Sequence, residues 1–277
     1  MTRLPTGRIH HKTTYAAPAN LRLRHAPRQR VYLVVMSDTR KTVGVSKAEA
    51  RLVATLRRAL VNEAARSRRR RVTAVELESF QGIADLVVGE LNGRHMLPRK
   101  VPLKRLEFFS FSTAKILAAL HGRKNIRISE IAEDSGLSET TVRRELRKLR
   151  DTRIVDIVGR DRVRILHAVS TPFSEMVAFE VKVKDWKSGL RQARSYKSFA
   201  NRTYLALPID RADSIKQHVD VFRRFNVGLL GIEKGGGLRW FAKTRRSSPI
   251  SPARNFYASV QLLKNTPLLM FKSARKP

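Results

Sequence analysis

Met176–Tyr196 reads MVAFEVKVKDWKSGLRQARSY, an apolar strand followed by a helix. Side chains alternate along a strand, so Phe179, Val181 and Val183 take one face and Glu180 and Lys182 the other. A carboxylate and an ammonium on the same face of an apolar strand must be partnered when buried. Together they are a candidate for metal-dependent phosphodiester chemistry. On the helix, Gln192 and Tyr196 stand at i and i+4 and are expected to share a face. The tripeptide carries little by itself. E-x-[KR] recurs in helical sequence at Glu49–Arg51 and Glu145–Arg147, and an ordinary ion pair explains Glu180–Lys182 as well.

Composition sets the partner. The 277 residues hold 57 Lys+Arg against 23 Asp+Glu, a formal charge of +34. That excess repels itself unless a polyanion neutralises it, and nucleic acid is the usual one. With 42% hydrophobic residues a packed core is feasible. The apolar run Val31–Met36 is far too short to span a bilayer, so no membrane partner is expected. No cysteine is present, which removes disulfides, thiolate catalysis and zinc fingers. The setting this predicts is cytoplasmic and nucleoid-associated.

Residues 1–30 carry seven Lys/Arg and no acid and read as a basic flexible arm; a transit peptide is the competing reading. Residues 31–104 form the first part of a sheet domain. Arg30–Met36 is a short strand, and a helix begins after an N-cap at Ser46 and runs to about Ala65. The run Arg66–Arg71 follows, then a hairpin of Val72–Leu77 and Ile83–Leu91. Gly93–Lys104 is a linker. The second part of the sheet domain is 169–245. It holds the opening strand and its helix, a strand at Thr203–Leu207, a helix at Asp213–Phe225, and a strand at Val227–Ile232. Gly235–Gly237 turns into Leu238–Ala242, and with no G-K-[ST] and no helix following it is not a phosphate loop. Residues 246–277 read as a basic C-terminal tail.

Residues 105–168 have a different character. Ser112–Leu120 and Ile128–Ser135 are helical, and Gly136–Leu137–Ser138 is a turn ending in an N-cap. Glu139–Arg150 is a helix with Val142, Leu146 and Leu149 inward. Its other face holds Arg143, Arg144, Arg147, Lys148 and Arg150. Gly159–Arg160–Asp161 is the turn of a closing hairpin. This order resembles a winged helix-turn-helix. The resemblance implies double-stranded DNA as partner, with Thr140, Thr141, Arg143 and Arg144 near the major groove, Arg147 also DNA-binding, and Arg160 and Arg162 on a wing near phosphates.

Asp85 sits inside the otherwise apolar Ile83–Val88, which is costly unless the acid is paired, metal-bound or near an edge. With Asp85 added, the chain resembles the PD-(D/E)XK nuclease superfamily: an Asp on one strand, Glu180-x-Lys182 on the next, and the Q-x-x-x-Y of RecB-type members at Gln192 and Tyr196. Ala84 replaces the usual proline. The 95 residues from Asp85 to Glu180 are too many unless the winged module is an insertion; removing Leu106–His167 leaves 33. Glu175 is the fallback acid. The resemblance implies an α/β (α+β) fold, a restriction-endonuclease-like mixed sheet flanked by helices with the winged module inserted. It implies Mg²⁺ (or Mn²⁺) held by Asp85 and Glu180, with Lys182 activating water and Gln192 and Tyr196 supporting the site. The implied activity is Mg-dependent hydrolysis of DNA. The alternatives are a non-catalytic winged-helix transcriptional regulator on a nuclease-like scaffold and, third, an RNA-binding protein. The sequence leaves a homodimer open.

Overall fold

The computed structural model describes residues 46–67, 71–79, 82–91, 109–166 and 169–265. The arm, the strand at 30–36, the linker 93–104 and the end of the tail lie outside the described residues, as do 68–70 of the run Arg66–Arg71. In chain order the elements begin with α1 (Lys47–Ser67), β1 (Arg71–Ser79) and β2 (Gly82–Leu91). A second group follows: α2 (Phe111–Leu120), β3 (Asn125–Arg127), α3 (Ile128–Ser135), α4 (Glu139–Asp151), β4 (Val155–Val158) and β5 (Arg162–Ile165). The chain then returns through β6 (Phe173–Val181), α5 (Trp186–Ser195), β7 (Arg202–Pro208), α6 (Ile209–Ser214) and α7 (Val219–Phe225). It ends in β8 (Gly228–Ile232), β9 (Leu238–Ala242) and α8 (Pro252–Lys264).

The fold is mixed α+β. Six strands form one sheet in the order β1-β2-β6-β7-β8-β9. β1, β2 and β6 are mutually antiparallel, β6, β7 and β8 run parallel, and β9 returns antiparallel. Parallel neighbours need crossovers, and α5 and α6–α7 supply them. Ser46 caps α1 by accepting the Glu49 N–H at 3.1 Å. The helix then lays Val53, Leu56 and Leu60 on the sheet face formed by Leu86, Val88, Phe179 and Val181.

The winged module lies between β2 and β6, which are nonetheless hydrogen-bonded neighbours. It is therefore an insertion between two adjacent strands, the condition that the Asp85 reading required. Its helices close on Ile116, Leu120, Ile131, Val142, Leu146 and Leu149, all fully buried. Gly136 ends α3 in the left-handed region (φ 62°), where a residue without Cβ is favoured. Ser138 then caps α4 by accepting the Thr141 N–H. β3, too short to be read in the sequence, joins β5 and β4 in a three-stranded sheet.

Two segments differ from the sequence expectations. The helix expected over Asp213–Phe225 starts earlier, at Ile209, and is broken by a 3₁₀ turn at Lys216–His218. Residues 252–264, read as part of a basic tail, form α8, which is buried on two sides. Phe256 and Val260 belong to the core of the winged module, whereas Ala258 and Leu262 belong to the core of the sheet. Residues four apart share a helix face, so each pair makes its own stripe. Burying a side chain the size of Phe256 contributes about 2–3 kcal/mol. This helix therefore ties the inserted module to the sheet.

Candidate functional site

Asp85 and Glu180 reach the same place because β2 and β6 pair in a fixed register. Val87 faces Ala178 across the ladder, and two residues further along each strand the same face presents Asp85 and Glu180. The Asp85 Oδ2 accepts the Val181 N–H at 2.7 Å. Glu180 is only 1% exposed and has partners at both oxygens. Lys182 Nζ lies 2.7 Å from its Oε1, and the Tyr196 hydroxyl donates to its Oε2. The same hydroxyl is 2.8 Å from the Ile83 carbonyl.

Two carboxylates and one ammonium leave the cluster net negative. Burial pushes the Asp85 carboxyl up, the neighbouring Glu180 charge pushes it further, and the Val181 hydrogen bond and Lys182 only partly oppose them. The pKa rises to about 7. Burial alone would lower Lys182, but its hydrogen bond to Glu180 and the charges of Glu180, Asp85 and Glu49 outweigh it and hold the ammonium above its usual value. Tyr196 is raised, first by burial and then by Glu180, so it serves as a donor.

Glu49 is part of this field and was read in the sequence only as a helical E-x-R. Ser46-x-x-Glu49 is the pattern of a helix start, so α1 presents Glu49 from its first turn. Gly189 is the other residue not singled out beforehand. A Cβ there would come within 2.6 Å of Leu205 and 2.9 Å of the Lys182 Cγ, so its absence lets α5 lie close over the Lys182 stem.

The helical pair separates. α5 ends at Ser195 and tightens into a 3₁₀ turn at Tyr196–Ser198. Tyr196 is turned inward to Glu180 while Gln192 stays exposed on α5, so the expectation of a shared face is corrected. Glu175, the fallback acid, is elsewhere: its Oε1 is 2.7 Å from Arg202 Nε. Among the described residues no group of three or more His, Cys, Asp or Glu side chains is arranged to hold a metal ion. The donor set on offer is two carboxylates, hard oxygens of the type Mg²⁺ accepts when water and phosphate complete its shell.

The winged module arranges its charges differently. Thr140, Arg144 and Arg147 are exposed along α4, as are Arg160 and Arg162 on the wing; Thr141 and Arg143 are half-buried. Arg143 donates to the Arg160 carbonyl at 2.8 Å and to Glu139, bracing helix against wing. Glu145 lies on the opposite side of α4 and is 1% exposed. It accepts from Thr113 of α2 at 2.8 Å and from Lys148 at 2.9 Å. Thr113 in turn forms a capping box with Ser110 at the start of α2. Burial raises the Glu145 carboxyl, but the hydrogen bonds from Lys148, Thr113 and Arg144 win and hold it below its usual value.

Residues 114–156 match the arsR family of bacterial regulatory proteins, which supports the winged helix-turn-helix reading of this segment. No curated protein and no solved structure matches the chain. The nuclease resemblance of the sheet domain has no counterpart in these comparisons. Among the described residues, no helix is long and apolar enough to cross a membrane.

Proposed function

We propose that the chain binds duplex DNA through α4 and the β4–β5 wing and acts as a regulator, with the sheet domain as its scaffold. The observation that carries this reading is the exposed basic face of α4, built on a module whose sequence matches a family of bacterial regulators. Thr140 and Thr141 at the start of α4 are placed for base edges, and Arg144, Arg147 and Arg162 for phosphates. Arg143 is already engaged by Arg160 and Glu139, so its part is to fix the angle between helix and wing. Each phosphate neutralised contributes about 0.9 to the slope of log K against log[salt]. Replacing Arg144, Arg147 and Arg162 by Ala together should flatten that slope by up to ~3 and weaken binding ~10²–10³-fold. A triple variant with the wild-type slope overturns the reading.

A second reading, metal-dependent phosphodiester hydrolysis, is favoured by one observation: Asp85, Glu180 and Lys182 converge from strands that the inserted module separates in sequence. Mg²⁺ or Mn²⁺ held by the two carboxylates would polarise the scissile phosphate and acidify a water. Lys182 would orient that water and offset charge on the phosphoryl oxygens. Tyr196 holds Glu180 in place, and Gly189 leaves room for the lysine stem. On this reading Asp85→Ala and Lys182→Ala each abolish cleavage in the presence of Mg²⁺ while DNA affinity stays within a few-fold. Stable binding to one duplex without turnover under Mg²⁺ or Mn²⁺ favours the regulator. Cleavage that persists in both variants removes this site from consideration.

A further inference from the structure

Outside the clusters already described, the end of α5 and the segment entering α8 enclose an open cleft of about 530 Å³. Three arginines, Arg191, Arg194 and Arg254, and three serines, Ser195, Ser198 and Ser251, line it, and among the described residues no acid does. The walls are fixed. The Ser198 carbonyl accepts the Ser251 N–H at 3.0 Å, and the Lys197 carbonyl accepts that of Ile250 at the same distance. Arg194 is held over the Phe225 ring at 4.5 Å. The guanidinium groups of Arg191 and Arg254 have no carboxylate partner among the described residues.

Three observations distinguish this cleft from the chance grouping of arginines that a chain with 57 Lys+Arg produces. First, the lining is concave and no acid among the described residues neutralises its cations. Second, Ser198 is 5% exposed, yet its Oγ has no hydrogen-bond partner among the described residues. A buried hydroxyl without a partner costs about 1–3 kcal/mol, and such groups call for a ligand, a water or a strain argument. Third, the 13-residue α8 starts here. Ser251 is its N-cap and accepts the Arg254 N–H, so the positive end of the helix dipole is at the cleft.

We infer that this cleft binds a phosphate group, and that the phosphate is a backbone phosphodiester of the nucleic acid that the winged module holds. Arg191 and Arg254 neutralise the phosphate from the rim, the Ser198 hydroxyl donates to one of its oxygens from the floor, and Arg194 sets the side of approach. Arg191 is exposed, Arg254 half-buried and the cleft open, which suits one group of a continuing strand better than a small ion held in full enclosure. The cleft also adjoins the carboxylate cluster in sequence: Ser195 lines it and the next residue, Tyr196, donates to Glu180. Only the identity of the strand rests on the DNA-binding reading; the phosphate site itself does not.

The test uses the full chain and a fluorescent duplex over a range of salt, with inorganic phosphate as the second probe. In R191Q/R254Q the log K–log[salt] slope should flatten by ~1–2, because two cations leave the contact. Binding should weaken ~10-fold or more. Ser198→Ala, which removes a neutral donor and little volume, should weaken binding a few-fold and leave the slope unchanged. Ser198→Asp should mimic the double variant by placing a negative charge on the floor. Wild-type slope and affinity in R191Q/R254Q, with loss of binding in the α4 triple variant, would overturn the cleft and leave the DNA-binding reading intact. If the wild type ignores the duplex but inorganic phosphate raises its Tm, and does not in R191Q/R254Q, the strand assignment is overturned in favour of free phosphate. If neither probe binds, both readings fall.

Discussion

Glu145 and Glu180 are each 1% exposed and each begin an E-x-[KR] tripeptide, yet the balance of charge around them differs. Glu145 lies on a helix, where the residue two positions on faces away. Its partners are therefore Lys148, one turn later, and Thr113 from the neighbouring helix. Donors exceed acids, and the carboxylate is favoured. Glu180 lies on a strand, where the residue two positions on shares its face, so Lys182 is its partner. There a second acid, Asp85, enters from the next strand, and acids exceed cations. The same three letters thus give a structural ion pair on a helix and an acidic cluster short of positive charge on a sheet. The first fixes the basic helix to its module. The second is the arrangement that a cation, or a proton on Asp85, would stabilise.

Acid should act on the two regions in opposite directions. For Asp85 the folded pKa, about 7, lies above the unfolded 3.8. Its contribution is therefore fully present below 3.8 and is lost as pH rises through 7. At about 1.4 kcal/mol per pH unit the loss has a ceiling of ~4 kcal/mol. Asp85→Asn keeps an oxygen for the Val181 N–H and has no proton to lose. It should leave stability unchanged near pH 4 and raise it at pH 8 by up to that ceiling. Urea unfolding followed by tryptophan fluorescence reads the sheet domain, because both tryptophans, Trp186 and Trp240, lie there. Equal stabilities of variant and wild type at pH 8 would mean that the acids are not in conflict.

Tyr196→Phe tests the same cluster from beneath. It leaves the Oε2 of a buried carboxylate without its donor, at a cost of ~2 kcal/mol. The loss should be of the size expected for a buried acceptor left unpaired, ~1–3 kcal/mol. A loss of only a few tenths of a kcal/mol would reduce Tyr196 to a packing residue. Its ring does pack, 5.9 Å from that of Phe199.

How well each region could be read follows from the range of its contacts. The winged module was legible because its signals are local: apolar spacing, a glycine at 136 that ends α3, a serine at 138 that starts α4, a glycine at the wing turn. The strands and hairpins of the sheet were legible for the same reason. Three things were not. Glu49 joins the cluster only through the docking of α1. Tyr196 is buried while Gln192, four residues before it, is exposed, a difference that the i,i+4 rule cannot foresee. The two-sided burial of α8 depends on partners from both regions, so its sequence shows a basic, partly apolar segment and nothing of what it joins. For Glu145 the tripeptide by itself says nothing of burial. The missing signal was its spacing from Val142, Leu146 and Leu149, which places it on the inward side of the helix.

The smallest expected effect belongs to Glu145. Glu145→Gln retains an oxygen for the Thr113 hydroxyl and loses the charge that Lys148 and Arg144 face. Arg144 is 64% exposed and Lys148 37%, so water already screens both and the change is worth only ~1 kcal/mol. The sign of its pH dependence is the informative part. The folded pKa of Glu145 is depressed, so its contribution is present above the unfolded value, 4.5, and is lost as pH falls through the folded one. The variant should therefore be less stable than wild type at pH 7 and converge with it in acid, opposite to the divergence expected for Asp85→Asn at high pH. The tryptophans are silent for this module, so far-UV circular dichroism must follow it. Because Glu145 sits behind the exposed basic side of α4, duplex affinity should move less than threefold. A larger loss would mean that the Thr113–Glu145 link sets the angle of the basic helix as well as its stability.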